Sequence, residues 1–170
     1  MRKVLPILLC SAALLCAQQA RRAPGWALTD AKMNVYDLAD YRGKPVILEF
    51  MQTNCPHCST AGDTLHNVSQ KYGSKIQIIA VVSAQTEKDY TVASYAQGHK
   101  VDYPILFDSG QMMYSYLRDP KIVFPHIYVI DGNGTIRHDY AYDVTTRDVF
   151  EGNGLFAAID GLLAEKGGKK

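Results

Sequence analysis

Two cysteines separated by two residues, Cys55 and Cys58, carry the clearest chemistry in this 170-residue chain. They follow the apolar stretch 46–51, which predicts a strand, and they open a stretch whose pattern predicts a helix. A helix N-terminus has partial positive charge and stabilises a thiolate placed there. Pro56 suits the first helical position because its missing N–H has no intrahelical partner there. The pattern predicts that Cys55 is an exposed nucleophile, that Cys58 is its resolving partner one turn later, and that the chemistry is thiol–disulfide exchange.

Two other uses of the cysteine pair are open from the residues alone. A tetrahedral zinc site needs four ligands, and the sequence has no second Cys-x-x-Cys. His57 and His126 could complete such a set only if the fold brought them together. A purely structural disulfide across so short a loop would stabilise the chain little. The strand–CxxC–helix context favours the redox interpretation.

Two ionisable residues beside the pair are candidates for tuning it. His57 can hold the Cys55 thiolate by a hydrogen bond or by its charge, or it can simply face solvent. Glu49 lies within an apolar strand, where a charged carboxylate is costly to bury. A raised pKa would let Glu49 relay the Cys58 proton, directly or through water. The alternative is a carboxylate near the strand end that reaches solvent.

The N-terminus predicts export. A short basic region precedes the apolar run 4–17, which is too short for a comfortable membrane span and has the layout of a secretory signal peptide. We predict a signal peptide over residues 1–20, with a retained N-terminal membrane anchor as the alternative, and a periplasmic location. Cys10 and Cys16 lie within this segment, so cleavage leaves one vicinal cysteine pair in the mature protein. Such a chain is not a disulfide-stapled scaffold.

Length and composition restrict the remaining function classes. Residues 24–166 are long enough to form one domain with its own hydrophobic core. The chain is 47% hydrophobic and 21% charged, with a formal net charge of +1. This balance argues against nucleic acid or an anionic membrane surface as the partner. We expect a monomer whose partners are the thiols and disulfides of other proteins.

The pattern along the chain predicts a mixed α/β sheet flanked by helices. The first buried strand and the helix at 55–72 are followed by a second buried strand and helix, and a glycine in the first helix, Gly62, predicts weakening or a bend there. The glycine-rich turn at 132–134 predicts an antiparallel hairpin in the last third. The remaining predicted elements are a hairpin-like entry at 24–41, strands at 76–82, 103–107, 126–131 and 135–141, and helices at 86–97, 111–117 and 146–164.

From about Trp26 to its end, the chain resembles the thioredoxin superfamily, and in layout its exported TlpA/ResA-like (redoxin) branch. The run 40–50 leading into the cysteine pair is similar to that branch's entry to the active site. A strand and helix inserted before the closing hairpin also match it. The run beginning Phe124-Pro125 resembles the cis-proline loop of the family. The resemblance implies a thioredoxin-like fold in which Pro125 faces the cysteines and lays a substrate strand beside them.

The sequence departs from that family at two positions. Asn54 stands where most members have an aromatic residue, and Phe124 stands where threonine or valine is commoner, which alters the groove for substrate. The dipeptide Pro56-His57 is that of DsbA-type oxidases, whereas the overall layout is that of reductants. The direction of electron flow therefore stays open, and so does the identity of the membrane or soluble partner that recycles the pair.

The resemblance implies a protein thiol–disulfide oxidoreductase that needs no cofactor and no metal. Three other classes stay open from the sequence. One is a thiol-dependent peroxidase, although the proline and threonine arrangement before a peroxidatic cysteine is absent. Another is a copper or zinc carrier that uses Cys55, Cys58 and His126. A non-catalytic interaction domain is the third, and it would be expected to lose the cysteine pair.

Overall fold

The structure, a computed structural model that describes residues 21–119 and 121–167, contains eight strands and five α-helices within those ranges. The strands are β1 (Arg21–Arg22), β2 (Ala27–Asp30), β3 (Val35–Asp37), β4 (Val46–Phe50), β5 (Gln77–Ser83), β6 (Ile105–Asp108), β7 (His126–Ile130) and β8 (Thr135–Ala141). The helices are α1 (Pro56–Tyr72), α2 (Asp89–Gly98), α3 (Gln111–Leu117), α4 (Arg147–Glu151) and α5 (Gly154–Gly167). Short 3₁₀ turns cover Leu38–Tyr41 and Gly73–Lys75.

All eight strands belong to one mixed sheet in the order β1-β8-β7-β4-β5-β6-β2-β3. The central strand β4 runs parallel to β5 and antiparallel to β7, and β6 runs parallel to β5. In the β4–β7 register, Glu49 lies opposite Ile127 and Phe50 lies opposite His126. The β2–β3 hairpin forms one edge of the sheet and β1 forms the other. This confirms the predicted mixed sheet with a strand and a helix inserted before the closing hairpin.

The strand β4 is buried along its whole length because helices cover both faces of the sheet. Its side chains alternate between the faces, as strand geometry requires. Ile47 belongs to the hydrophobic cluster under α1, α4 and α5, whereas Leu48 and Phe50 belong to the cluster under α3 and Trp26. An apolar run that only Glu49 interrupts fits the expected signature of such a strand.

Most predicted elements are present, with two differences. The predicted closing helix at 146–164 is two helices, because Gly152 ends α4 and the Asn153 backbone N–H donates instead to the Asp148 carboxylate at 3.2 Å. The strand β1, a two-residue pair on β8, was not predicted. The predicted signal peptide lies outside the described residues. Among those residues no helix is long and apolar enough to cross a membrane.

Candidate active site

Cys55 caps the N-terminus of α1, in the position predicted for a nucleophile. Its backbone is extended (φ −93°, ψ 118°), and Pro56 follows as the first helical residue. The Cys55 sulfur accepts a hydrogen bond from the Cys58 backbone N–H at 3.3 Å, and its S–H points to the Phe124 carbonyl at 3.9 Å. Both cysteines are free thiols, and Cys55 is partly exposed. A partner molecule can therefore reach the Cys55 sulfur at the helix N-terminus.

Cys58 is fully buried, in the hydrophobic cluster beneath α1. Burial raises the pKa of the Cys58 thiol far above its ordinary value, and the neighbouring Cys55 and Glu49 add to the increase, while a backbone hydrogen bond from Gln52 opposes it. The two thiols therefore differ in accessibility: Cys55 can be reached from solvent, whereas Cys58 cannot.

Glu49 is a carboxyl group buried under the same face of the sheet as Cys58. It is fully buried, and neither carboxyl oxygen has a hydrogen-bond partner among the described residues. Burial raises the pKa of Glu49 to about 8. The carboxyl group is therefore neutral in the fold at moderately acidic pH and becomes able to accept a proton close to neutral pH. This excludes the alternative of a carboxylate that reaches solvent.

The loop that precedes β7 lies against the exposed cysteine. Its Phe124–Pro125 peptide bond is cis. The Phe124 carbonyl accepts from the Cys55 thiol, and the Pro125 carbonyl accepts the Tyr142 backbone N–H at 3.1 Å. Phe124 is partly buried and contacts the clusters on both faces of the sheet. The fold thus places the α1 N-terminus beside a loop that lies 69 residues later in the chain.

The sequence profile of the AhpC/TSA family matches residues 20–139, which is more than half of the chain. The chain belongs to the AhpC/TSA family. Two curated relatives resemble it over most of their length. The thiol-disulfide oxidoreductase ResA of Geobacillus kaustophilus is 30% identical over 131 residues, 75% of this chain and 71% of the relative. The thioredoxin-like protein YneN of Bacillus subtilis is 25% identical over 133 residues, 78% of this chain and 76% of the relative.

Solved structures support the fold of this AhpC/TSA-family chain. A thiol:disulfide interchange protein of the thioredoxin family from Chlorobium tepidum superposes with a TM-score of 0.66 at 16% identity, covering 85% of this chain and 97% of that one. The thioredoxin domain of a Bacteroides vulgatus thiol-disulfide oxidoreductase gives a TM-score of 0.65 at 18% identity, covering 83% and 95%. With the ResA relatives, these matches confirm a TlpA/ResA-like member of the thioredoxin superfamily that acts as a protein thiol–disulfide oxidoreductase.

His57 lies beside the pair, but its ring contacts are with the loop and helix after β8. The ring stacks on Tyr142, with centroids 4.1 Å apart, and its Nδ1 lies 3.8 Å from a Glu151 carboxylate oxygen. The side chain is 53% exposed. The hydrogen bonds of the Cys55 sulfur within the described residues go to Cys58 and Phe124 and do not include His57. His57 can thus act on the thiolate only through its charge in this arrangement.

His126 lies away from the cysteines, which corrects the copper or zinc carrier alternative. Its Nε2 lies 2.7 Å from an Asp139 carboxylate oxygen, and its ring stacks on Tyr128 with centroids 4.6 Å apart. It shares a sheet face with Tyr128 and Phe50, whereas Cys58 belongs to the cluster on the other face. Within residues 21–119 and 121–167, no three His, Cys, Asp or Glu side chains group as metal ligands. The ligand set Cys55, Cys58 and His126 is therefore wrong.

Several residues that contact the site carry no signal in the sequence. The Tyr95 hydroxyl donates to the Cys58 carbonyl at 2.6 Å, and the Glu87 carboxylate binds Thr53, two residues before Cys55. Tyr142 and Glu151 contact His57. These residues lie between 34 and 94 positions from their partners, and no motif spacing in the sequence links them. Only the fold brings them together.

Proposed function

We propose that Cys55 is the nucleophile and Cys58 the resolving thiol in disulfide exchange with proteins outside the cytosol. The Cys55 thiolate attacks a partner disulfide, which forms a Cys55–partner disulfide and releases one partner sulfur as a thiolate. The Cys58 thiolate then attacks the Cys55 sulfur, which forms the Cys55–Cys58 disulfide and releases the second partner thiol. The partner gains the two electrons that the pair loses, and the reverse sequence oxidises a dithiol.

The observation that carries this assignment of roles is the difference in exposure of the two thiols. Cys55 is partly exposed at the helix N-terminus, and Cys58 is fully buried. A protein disulfide can approach Cys55 alone, so the mixed disulfide forms on that sulfur. The buried Cys58 thiol reacts only in the second step, which is intramolecular.

Glu49 is the proposed acceptor of the Cys58 proton, directly or through a water molecule. Its position under the same sheet face and its pKa of about 8 support this role. A Glu49→Gln variant is expected to form the mixed disulfide normally and to resolve it slowly. In the proposed substrate site, Phe124 and Pro125 present the backbone beside which an extended partner segment lies, and Pro125 leaves that edge without an N–H of its own.

The proposed location is outside the cytosol, because residues 1–20 have the layout of a signal peptide. There the pair requires a membrane or soluble redox partner that restores its starting state after each turnover. Relatives named thiol-disulfide oxidoreductase ResA support protein thiols and disulfides as the substrate class.

Capture of the intermediate tests the assignment of roles. Cys58→Ser removes the resolving thiol, so the variant is expected to accumulate a mixed disulfide with a disulfide-bonded protein such as insulin, joined through Cys55. Cys55→Ser should form none, since its remaining thiol is buried. Non-reducing electrophoresis and peptide mass spectrometry identify the joined residue. Equal trapping through Cys58 in the Cys55→Ser variant would reverse the proposed roles.

A further inference from the structure

A second buried carboxylate, Glu87, holds the loop that joins β4 to the nucleophile. Glu87 is 6% exposed and lies in the connection between β5 and α2. One carboxylate oxygen accepts the Thr53 backbone N–H at 2.9 Å, and the other accepts the Thr53 hydroxyl at 2.6 Å. The Thr91 hydroxyl donates to that second oxygen at 2.7 Å. Two hydrogen bonds thus tie residue 53 to a residue 34 positions away, and the third fixes the Glu87 carboxylate to Thr91 at the start of α2.

The residue next to Thr53 makes direct contacts with both cysteines. The Gln52 carbonyl accepts the Cys55 backbone N–H at 3.3 Å. The Gln52 backbone also lowers the pKa of the Cys58 thiol, against the larger increase that burial causes. Since Thr53 adjoins Gln52 and lies two residues before Cys55, the backbone that Glu87 holds is the backbone that places both sulfurs.

The carboxylate of Glu87 is suited to this task in its ionised form. Burial opposes its charge, but the donors from the Thr53 side chain and backbone and from Thr91 outweigh burial and hold the pKa of Glu87 below its usual range. Hydrogen bonds to an ionised acceptor are roughly twice as strong as those between neutral groups. A buried charge with three donors is therefore a firm anchor for an otherwise irregular loop.

We propose that Glu87 is a positioning residue for disulfide exchange, which acts by fixing residues 52–53 so that Cys55 and the Gln52 amide keep their places. The inference rests on the proposed roles of Cys55 and Cys58. Glu87 touches neither sulfur nor substrate, and its effect passes through the Thr53 backbone. The sequence contains no signal for this contact, because Thr53 and Glu87 belong to separate loops that meet only when β4 and β5 pair.

Three substitutions separate the position of the loop from the charge of Glu87. Glu87→Ala removes the hydrogen bonds and the charge, whereas Glu87→Gln removes the charge and keeps groups that can bond to Thr53 and Thr91. Thr53→Val removes the hydroxyl donor alone. The matched control is Asp108→Ala, another buried carboxylate, 2% exposed, which accepts the backbone N–H groups of Met112 and Met113 at 3.2 and 2.9 Å. Its bonds hold α3 instead of the active-site loop.

Two quantities are measured for each variant in the full chain: the rate constant for reduction of insulin disulfides, and the equilibrium constant of the cysteine pair with glutathione. Small displacements of reacting groups can cost about a hundredfold in rate, so we expect Glu87→Ala to lose about tenfold or more. Glu87→Gln should retain at least about threefold more activity than Glu87→Ala. The glutathione equilibrium of Glu87→Ala should favour the disulfide more than that of Glu87→Gln, since the thiolates lose the placed Gln52 amide.

The control and the double variant decide between a local and a general effect. Asp108→Ala is expected to lower the melting temperature and leave both constants unchanged. Thr53→Val should reduce the rate in the wild-type background and add no further loss to Glu87→Ala. Wild-type constants in Glu87→Ala, or an equal loss in Asp108→Ala, would overturn the inference.

Two further results distinguish a failure of the role proposed for Glu87 from a failure of the roles proposed for Cys55 and Cys58. If Glu87→Ala does not fold, Thr53→Val carries the test, and a wild-type rate in Thr53→Val would overturn the inference. If the wild-type pair exchanges no protein disulfide while the alkylation rate of Cys55 by iodoacetamide still falls in Glu87→Ala, the proposed function fails and the placement of Cys55 by Glu87 is supported.

Discussion

At the scale of single residues, the site divides its chemistry between two thiols in different surroundings. Cys55 lies at a helix N-terminus that it caps, with the Phe124 carbonyl as its other neighbour. Cys58 lies in an apolar cluster near Glu49, where burial raises the pKa of both groups. Two negative charges at this depth are unfavourable together. The ionisations of Cys58 and Glu49 are therefore coupled, because loss of the proton from one group makes loss of the proton from the other harder.

His57 is expected to tune the pair through charge alone. Replacing His57 with Ala should lower the reduction potential, since the positive charge that the ring carries when protonated stabilises a thiolate at Cys55. The ring is half-exposed and near Glu151, so the effect should be smaller than the ~30 mV that corresponds to about 1.4 kcal/mol for this two-electron couple. It should shrink further at high ionic strength. Glutathione equilibration at low and at high salt measures it.

A salt-independent shift of that size, or a larger one, would contradict this account of His57. It would mean that the imidazole leaves Glu151 and donates a hydrogen bond to the sulfur. A potential unchanged at both ionic strengths would show that His57 is a solvent-facing residue. Tyr142→Phe is a useful companion, because it keeps the ring on which His57 stacks and removes the hydroxyl that donates to Glu151 at 2.8 Å.

The residues of the motif could be predicted from sequence, whereas their partners could not. Cys55, Pro56 and Cys58 stand in a spacing whose helix chemistry is local, so the sequence is sufficient to predict it. Glu49 was detectable because a carboxyl group within an apolar strand is unusual. Glu87 has no such signal, because a glutamate in a polar segment near a helix start is common on protein surfaces.

At the scale of elements, the packing against α1 explains why a glycine, a residue of low helix propensity, lies within this helix. Gly62 lies within α1, which continues without interruption from Pro56 to Tyr72. A Cβ at this position would lie 2.3 Å from the Tyr95 hydroxyl oxygen and 3.1 Å from the Tyr95 Cζ. That hydroxyl donates to the Cys58 carbonyl at 2.6 Å. Gly62 is therefore required for the close approach of Tyr95 to the N-terminal part of α1.

Gly62→Ala is expected to destabilise the protein although alanine is the better helix former. The displaced Tyr95 ring should cost about 1–3 kcal/mol, as overpacking of a core does, against a helix-propensity gain of about 1 kcal/mol. Gly161→Ala in α5 is the matched control: no atom lies within 4 Å of its added Cβ, so it should stabilise by roughly 0.5–1 kcal/mol. Urea unfolding measures both changes.

The Tyr95 hydroxyl can be tested as the cause by combining substitutions. In a Tyr95→Phe background the atom nearest the new Cβ is absent, so Gly62→Ala should cost less there than in the wild type. An equal cost in both backgrounds would place the conflict elsewhere. Stabilisation by Gly62→Ala equal to that by Gly161→Ala would contradict the packing described for α1.

The element boundaries show where sequence patterns stop being informative. The helix at Gln111–Leu117 and the strand at Thr135–Ala141 agree with prediction residue for residue. The closing helix does not, because its interruption depends on the Asp148 side chain bonding to Asn153 instead of on a proline. The edge strand β1 also escaped prediction, since two arginines carry no strand pattern and pair only because β8 is there.

At the scale of the whole molecule, burial of Glu49 links the stability of the fold to pH. In the unfolded chain Glu49 ionises near 4.5, and in the fold it ionises at about 8. Between these pH values Glu49 is ionised in the unfolded chain and still protonated in the fold. The stability that the neutral group contributes is therefore complete below about pH 4.5 and is lost as pH rises to about 8. Over this range the free energy of unfolding falls by up to about 1.36 kcal/mol per pH unit, which is the free energy that corresponds to one pKa unit.

Glu49→Gln is expected to remove that slope, because glutamine is neutral in both states. The difference in free energy of unfolding between wild type and Glu49→Gln should therefore change steadily between about pH 5 and pH 8. Denaturant unfolding at a series of pH values measures it. Glu87→Gln is the control, since its lowered pKa places its own linkage in the acid range. Stability curves of wild type and Glu49→Gln that stay parallel would contradict the buried, neutral state of Glu49.

Equilibration with glutathione determines whether Cys55 and Cys58 form a reversible redox pair that exchanges disulfides with other thiols. The protein is incubated in buffers of increasing oxidised-to-reduced glutathione ratio, its free thiols are alkylated, and its mass is measured. We expect a single two-electron transition between a form with both thiols alkylated and a form with neither, with the intramolecular Cys55–Cys58 disulfide located by peptide mapping. The midpoint gives the reduction potential and decides whether the pair favours reducing or oxidising its partners. If the disulfide never forms at any ratio, or only a stable glutathione adduct forms on Cys55, the two cysteines are not a redox pair.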